Sequence, residues 1–289
     1  MQRQDFRFTH HLRVRWAEVD VQKIVFNPHY LMYFDCAIAD YWRALALPWE
    51  ATMAQLKGDM FLRKTSVEFN ASAVMDDRLA VCLRCERIGT SSLTFVGGIF
   101  RGDQLLIVGE LVYVFADPAT KTSQAVPQVL RDWVEEFEAG QPVTRVQTGD
   151  WASLQAPASA LRTAVFIEEQ GIPEADEWDD ADAGAVHAVV SNPLGQPVAT
   201  GRLLREGAAD SGVARIGRVA VMQPLRGTGV GRQVIDALEQ LARERGDREA
   251  VLGAQCSAEG FYRRLGYAPY GDVYDDAGIP HIGMRRALG

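Results

Sequence analysis

One stretch decides the fold of the C-terminal half of this chain: Arg226-Gly227-Thr228-Gly229-Val230-Gly231. It follows an apolar, strand-like segment at 214–221, and it opens a segment whose apolar residues recur at helical spacing. The N-terminus of a helix has unpaired N–H groups and partial positive charge, so it stabilises an anion, and glycines let the backbone approach that anion closely. The stretch therefore indicates a phosphate-binding loop, although a turn of purely structural importance gives the same spacing.

The elements around this loop alternate between helices and strands. Apolar patterning predicts a helix at 158–170, a second helix from residue 230 and a short helix at 258–265. It also predicts strands at 186–191, 198–204, 214–221 and 250–254, followed by two more strands at the end of the chain. The C-terminal half is therefore predicted to be a mixed α/β domain.

Several segments of this half resemble the GCN5-related N-acetyltransferases (GNAT), and they occur in the order typical of that family. Arg226-x-x-Gly229-x-Gly231 is similar to the coenzyme A motif, and Phe261-Tyr262 with its following glycine is similar to a later motif. Finer features at 161–170, 252–255 and 276–284 resemble the ElaA-like branch. The resemblance covers about half of the chain.

This resemblance implies an enzyme that passes an acetyl group from acetyl-CoA to an amine. The backbone of the strand residues Val219, Ala220 and Val221 is expected to hold the pantetheine arm. The pyrophosphate is expected on Arg226 and on the amides of Gly227, Thr228, Gly229, Val230 and Gly231. Gln255 stands where many family members have asparagine, and it is also assigned to the cofactor.

The resemblance also suggests which side chains move protons. Tyr262 matches the tyrosine that supplies a proton to the departing thiolate, and a buried aromatic with a satisfied hydroxyl is the alternative. Glu169 and His281 are candidates for the general base. Glu169 equally suits an ion pair, and His281 equally suits bracing the turn before it. His187 has the pattern of an ordinary strand residue.

The N-terminal half has a different order of elements: a strand at 12–16, a helix and then four strands. Asn27-Pro28 suits the start of a helix, since asparagine is a good N-cap and proline is favoured at the first helical position. Apolar residues lie on several faces of this helix, which is therefore expected to be buried nearly all round. The predicted later strands are 63–70, 79–87, 92–100 and 104–115. The economical arrangement is one long helix wrapped by an antiparallel sheet of five strands.

The segment from Trp16 to Tyr30 resembles the 4-hydroxybenzoyl-CoA thioesterase family of hotdog folds, including the YbgC-type enzymes. The resemblance implies hydrolysis of an acyl-CoA, with Asp20 as the catalytic carboxylate. Amides near Phe26 and Asn27, at the N-terminus of the long helix, would polarise the thioester carbonyl. An acidic residue before a helix also has a simpler explanation, because it can stabilise the helix dipole or fix a turn. Lys23 replaces a glycine that is common in the family, and it places the activity of this half in question.

The two resemblances divide the chain into 1–140, a hotdog domain, and 147–289, a GNAT domain, so the fold class is α+β. The net charge of −8 argues against nucleic-acid or membrane-surface partners. No apolar run approaches the roughly 18 residues of a membrane span, and the N-terminus does not have the pattern of a signal peptide. Cys82 and Cys85 form a lone CxxC without a second ligand pair, so no metal is expected, and the four cysteines favour the cytoplasm.

The leading hypothesis is a bifunctional enzyme in which both halves act on coenzyme A thioesters. The first half would hydrolyse an acyl-CoA and the second would acetylate an amine. Hotdog domains usually dimerise, so the resemblance also implies a homo-oligomer. The alternative is an acetyltransferase whose hotdog half is a non-catalytic module for dimerisation or acyl-CoA sensing.

Overall fold

The computed structural model describes residues 1–208 and 211–289, which form two compact units, Met1–Val143 and Thr144–Gly289. Within these ranges no helix combines the length and the apolar character needed to cross a membrane.

The first unit is a single antiparallel sheet with one long helix packed on it, as predicted. Its strands are β1 (Phe8–Arg13), β2 (Asp59–Phe69), β3 (Arg78–Ile88), β4 (Ser92–Arg101) and β5 (Gln104–Ala116). They lie in the order β1-β3-β4-β5-β2. The helices are α1 (Pro28–Ala44), α2 (Trp49–Leu56) and α3 (Gln128–Glu138), with short 3₁₀ turns at Arg3–Asp5 and Trp16–Glu18. This arrangement is the predicted hotdog fold.

Helix α1 begins at Pro28 as predicted, but Asn27 does not cap it with its side chain. The backbone of Asn27 is already helical, with φ −45° and ψ −42°, whereas a capping residue usually has an extended backbone. The expectation that α1 is buried nearly all round was wrong for the unit taken by itself. Leu31, Asp35 and Cys36 are exposed because the sheet covers only the opposite face of the helix.

A pair of glycines lets α1 approach the sheet closely. Gly97 on β4 and Gly109 on β5 are directly paired across the two strands. A Cβ atom at either position would lie 2.6 Å from the ring of Phe34, which is fully buried. The two glycines thus form a depression in the sheet that receives this ring, and they fix the position of α1.

The second unit is built on a seven-stranded sheet. Its strands are β6 (Arg145–Gly149), β7 (Val186–Ser191), β8 (Pro197–Arg205), β9 (Val213–Val221), β10 (Glu249–Gln255), β11 (Ala268–Asp276) and β12 (Ile279–Ala287). Their order is β11-β12-β10-β9-β8-β7-β6, and only β9 and β10 run parallel to each other. This is the predicted mixed α/β, GNAT-type domain.

The helices of the second unit are α4 (Trp151–Arg162), a π-helical segment (Thr163–Glu169), α5 (Glu174–Glu177), α6 (Ala181–Gly184), α7 (Val230–Glu244) and α8 (Glu259–Arg264). Short 3₁₀ turns occur at Gln223–Leu225 and Cys256–Ala258. One side of α7 is buried through Val230, Val234 and Leu238, as its apolar spacing predicted.

Some elements differ from the predictions. The helix predicted at 158–170 begins at Trp151, because Asp150 caps it by accepting a bond of 3.0 Å from the Ser153 amide. Its second part is π-helical, which periodicity alone does not reveal. Strand β6 was not predicted, since it is short and largely exposed and has little apolar alternation. The first strand was predicted at 12–16, but β1 ends at Arg13.

The substitution Gly109→Ala should destabilise the first unit by about 1–3 kcal/mol, because the added methyl group overpacks the ring of Phe34. Chemical denaturation monitored by circular dichroism measures the loss. Gly184→Ala is a matched control, since a Cβ atom there meets nothing within 4 Å. Equal stability of Gly109→Ala and the parent protein would show that the depression does not constrain α1.

Candidate active site

The candidate site lies where β9 and β10 separate. These parallel neighbours are paired only from Val213 to Arg215 on β9 and from Glu249 to Val251 on β10. Beyond this point β9 continues to Val221 without pairing to β10. The sheet therefore splits, and the split opens into a cleft of about 850 Å³. Because an extended ligand can pair with strand backbone, such a gap suits a long flexible arm.

A bulge in β9 accompanies this split. Thr200 of β8 is opposite Ala220, and Arg202 is opposite Gly217, so the one residue between them on β8 faces two residues on β9. Arg218, in the bulge, has a left-handed φ of 50°. A bulge bends the strand that carries it, and here it directs residues of β9 towards the cleft.

The strand residues assigned to the pantetheine arm do not all face the cleft. Val219 and Val221 line it, whereas Ala220 is fully buried against Val165 and Phe166. The side chain of Ala220 is therefore part of the core, and the expectation for this residue concerned its backbone.

The glycine-rich loop has the backbone geometry of an anion site. Gly227 and Gly229 have φ values of 87° and 98°, which other residues rarely adopt, and the space beside both is open. Gly229 is the N-cap of α7 and has no side chain to satisfy the amides of the first turn. Across the described part of the chain, four amides of the loop have no acceptor: those of Gly227, Gly229, Val230 and Gly231.

Thr228 differs from the other loop residues. Its amide donates to the carbonyl of Leu225 at 3.3 Å, and its hydroxyl donates to the same oxygen at 2.7 Å. The Thr228 amide therefore stabilises the turn, and the assignment of this amide to the pyrophosphate requires correction.

Arg226 and Glu169 contact each other, although the sequence gave them separate roles. Nη1 and Nη2 of Arg226 each donate to one oxygen of Glu169, both at 2.7 Å, and Nε donates to the carbonyl of Val221 at 3.2 Å. The two side chains are 42% and 31% exposed, so a ligand in the cleft can reach the pair. Glu169 thus takes the alternative role foreseen for it, that of an ion-pair partner.

Gln255, at the end of β10, has a comparable partner. Its Nε2 donates to Oε1 of Gln170 at 2.9 Å, and Nε2 of Gln170 donates back at 3.5 Å. Both side chains line the cleft. The amide of Gln255 is therefore held by the segment that follows the π-helix.

Tyr262 lies in α8 beside the cleft, with its ring edge-on to those of Phe261 and Tyr267. Burial raises the pKa of Tyr262 well above its ordinary value, so the hydroxyl keeps its proton at neutral pH. Among the described residues, no hydrogen-bond partner of this hydroxyl is found. The alternative, in which another residue accepts a hydrogen bond from the buried hydroxyl of Tyr262, is therefore not observed among the described residues.

His281 lines the same cleft at the start of β12. Its Nδ1 lies 2.8 Å from the carbonyl oxygen of Ile279, which can only accept a hydrogen bond. The neutral ring therefore carries its proton on Nδ1 and has a lone pair on Nε2. Tyr274 stacks on the imidazole with ring centroids 5.8 Å apart. The histidine braces its turn through one nitrogen and leaves the other able to accept a proton.

A buried charge cluster forms one side of the cleft, and sequence analysis missed it. Arg162 donates to a carboxylate oxygen of Glu177. It also donates to both oxygens of Asp182, at 2.8 and 2.9 Å. Arg202 donates to Asp182 at 2.7 Å and to both oxygens of Asp179 at 2.6 Å. Burial raises the pKa of Glu177, while hydrogen bonds from Arg202 lower that of Asp179. The acidic run at 174–182 is visible in the sequence, but its arginine partners are distant.

His187 belongs to the surroundings of this cluster and lies in β7, as its pattern predicted. Its Nε2 is 3.0 Å from the carbonyl oxygen of Asp182, and burial lowers its pKa. Among residues 1–208 and 211–289, no group of three or more His, Cys, Asp or Glu side chains is arranged to hold a metal ion.

In the first unit, Asp20 lies in a tight turn before α1. Its Oδ1 accepts a bond of 2.8 Å from the amide of Gln22, while the Lys23 amide donates to the Asp20 carbonyl at 2.9 Å. One carboxylate oxygen therefore fixes the turn, and Oδ2 has no partner within the described chain. Lys23 has a φ of 62°, the conformation that a glycine would favour. The replacement thus keeps the turn, at a cost of roughly 1 kcal/mol in backbone strain.

The helix N-terminus beside this turn offers one of the two predicted donors. The amide of Phe26 donates to the carbonyl of Glu18 at 2.9 Å, so its assignment to the thioester carbonyl needs correction. The amide of Asn27 has no acceptor in the part of the chain that the structure describes. Asn27 therefore remains the candidate donor.

Family models match both halves of the chain. The model described as "Acetyltransferase (GNAT) domain" matches residues 163–288, and the model described as "Thioesterase-like superfamily" matches residues 14–134. Both resemblances drawn from the sequence are confirmed.

Individual proteins resemble one half each. Uncharacterized protein YyaT of Bacillus subtilis is 35% identical over 45% of this chain and 87% of its own length. Protein ElaA of Escherichia coli is 38% identical over 44% of this chain and 84% of its own length. The crystal structure of a 1,4-dihydroxy-2-naphthoyl-CoA thioesterase from Synechocystis is 20% identical, with a TM-score of 0.43, over 47% of this chain and 98% of that one.

We expect Asp182→Asn to destabilise the second unit by about 3 kcal/mol, because it leaves two buried guanidinium groups short of a charged acceptor. Scanning calorimetry of the full chain measures the change. Asp180→Asn is the matched control, since Asp180 is exposed and has no part in the cluster, and it should stay within about 0.5 kcal/mol of the parent. Similar stabilities of the two variants would contradict the structural importance of the cluster.

Proposed function

We propose that this chain, which belongs to the acetyltransferase (GNAT) family over residues 163–288 and to the thioesterase-like superfamily over residues 14–134, is a bifunctional enzyme of coenzyme A thioesters. The second unit transfers an acetyl group from acetyl-CoA to an amine, and the first hydrolyses an acyl-CoA.

The observation that carries the transferase proposal is the set of unpaired loop amides at the entrance of the cleft. Gly227, Gly229, Val230 and Gly231 supply N–H groups at the positive end of α7, which suits the pyrophosphate of coenzyme A. The gap between β9 and β10 accepts the pantetheine arm, with Val219 and Val221 on one side. Acetyl-CoA is thus a substrate that the residues present can hold, and no step of the proposal requires a metal.

In the proposed transfer, His281 accepts the proton that the amine loses through its Nε2, because Nδ1 is fixed by the carbonyl of Ile279. Tyr262 donates a hydrogen bond to the sulfur as the thiolate departs. Its raised pKa favours this hydrogen bond over complete proton transfer, since a thiol has a pKa of about 8.5. Glu169, held by Arg226, is left out of the proton transfers.

In the proposed hydrolysis, Asp20 attacks the thioester carbonyl or activates a water molecule through Oδ2. The amide of Asn27, at the N-terminus of α1, stabilises the negative charge that develops on the carbonyl oxygen. Burial of Glu18 disfavours its charge, but bonds from Arg15 and Tyr33 outweigh this and lower its pKa, so Glu18 acts as a fixed support for the turn.

Large apolar side chains around this turn support a homo-oligomer formed by the first unit. Trp16, Val21 and Phe26 are 81%, 99% and 51% exposed, although such residues are normally covered. A second copy of the chain would cover them and enclose Asp20. We also place the enzyme in the cytoplasm, where its four free cysteines remain reduced.

A second candidate function follows from the hydrogen bonds of the turn. Asp20 and Phe26 are each partly engaged in holding it, which favours a non-catalytic first unit that dimerises or senses an acyl-CoA. Thiol release without any added amine distinguishes the two candidates, because only a thioesterase produces it.

Tyr262→Phe should lower the amine-dependent release of thiol from acetyl-CoA by about 100-fold, because the substitution removes only the hydroxyl that faces the thiolate. The affinity for coenzyme A, measured by calorimetry, should stay unchanged. Tyr267→Phe is a control for the loss of a buried hydroxyl near the same helix. Unaltered turnover in Tyr262→Phe would exclude the proposed donor.

Asp20→Asn should lower the rate of amine-independent hydrolysis by about 100-fold or more across a panel of acyl-CoAs. Amine acetylation by this variant should stay intact. The asparagine can still accept the bond from the Gln22 amide, so the turn is expected to persist. Hydrolysis that survives this substitution, or that never exceeds the blank in the parent protein, would refute the thioesterase proposal.

A further inference from the structure

Two consecutive residues at the end of the π-helical segment hold opposite sides of the cleft. Glu169 binds Arg226, which precedes the glycine loop after β9, through two hydrogen bonds of 2.7 Å. Gln170 binds Gln255, which ends β10, through a reciprocal amide pair. The segment therefore spans the gap between the two strands where they are no longer paired to each other.

The same segment also borders the cleft directly. Val165 and Phe166 line the cleft, and both pack against Ala220 on β9. A π-helical turn within a helix is unusual and is often found at functional sites. Here the π-helical turn ends at Glu169 and is followed by Gln170, and these two residues bond directly to Arg226 and Gln255. A change in this segment is therefore transmitted to both walls of the cleft.

Arg226 keeps some donor capacity when it is bound to Glu169. A guanidinium group has five N–H donors, and three of them go to Val221 and Glu169. The remaining two are available to an anion, and the two bonds to the carboxylate fix the plane of the group. Preorganisation of this kind reduces the loss of side-chain freedom on binding.

We propose that Glu169 and Gln170 act as a strap: they position Arg226 and Gln255 for coenzyme A and keep the gap between β9 and β10 at the width that the cofactor needs. This inference rests on the proposed transferase function and assigns Glu169 a positioning role in place of general-base catalysis.

Three possible functions of Glu169 predict different effects when its charge is removed. Loss of a negative charge near a pyrophosphate should by itself tighten the binding of an anionic cofactor. Loss of a general base should lower kcat by at least about 100-fold and leave cofactor affinity unchanged. Only a positioning role predicts that Glu169→Gln weakens coenzyme A binding while kcat is largely retained.

The experiment measures the Kd of coenzyme A by calorimetry, and kcat and KM for acetyl-CoA, on the full chain. Glu169→Gln should raise the Kd by about fivefold, the upper range for an ion pair between partly exposed side chains. Its pH profile of kcat should match that of the parent. Glu168→Gln is the matched control, because Glu168 is exposed and carries the same charge one residue before Glu169. The Kd of coenzyme A for this variant should not rise.

A double-mutant cycle with Arg226→Gln completes the test. The combined variant should bind coenzyme A no worse than Arg226→Gln alone, because the function of Glu169 is exerted through Arg226. An unchanged or lower Kd in Glu169→Gln, or fully additive losses, would overturn the strap while the parent still binds coenzyme A. A parent protein that does not bind coenzyme A would overturn the proposed transferase and the strap together.

Discussion

The second unit depends on one constraint: β9 and β10 stop pairing after Arg215 and Val251 and yet remain neighbours in one sheet. A bulge at Arg218 bends β9 at this point. The edges of β9 and β10 that no longer pair with each other and the unpaired amides at the start of α7 face the same cleft. Unsatisfied backbone groups are unfavourable in a folded protein unless water or a ligand meets them. The split is therefore best understood as a site for an extended ligand with an anionic end.

Elsewhere the chain uses packing and buried charge to hold its site-bearing elements. In the first unit, the ring of Phe34 occupies the depression at Gly97 and Gly109, and this contact fixes the helix whose N-terminus lies beside Asp20. In the second unit, the cluster around Arg162 and Asp182 ties α4 to α6 and to β8, and so supports one side of the cleft. Side-chain packing thus fixes a helix in the first unit, and buried charge ties elements together in the second.

Local features of the site could be predicted from the sequence, and long-range features could not. The glycine loop and the amphipathic pattern of α7 are encoded in neighbouring residues, so their positions were predicted well. The ion pair of Glu169 with Arg226 joins residues 57 positions apart, and no local pattern signals it. The bulge at Arg218 and the buried cluster likewise arise from strand register and packing. Lys23 shows the converse case, because the residue departs from the family pattern while the backbone keeps the expected conformation.

The account depends most on the glycine loop as the place where coenzyme A binds. Hydrogen–deuterium exchange of the full chain, with and without saturating coenzyme A, tests this directly. The account predicts slower exchange in the peptide that covers residues 227–231, because the four amides without an acceptor in the described chain would donate to the pyrophosphate. Unchanged exchange of that peptide, with protection appearing only elsewhere in the chain, would contradict it.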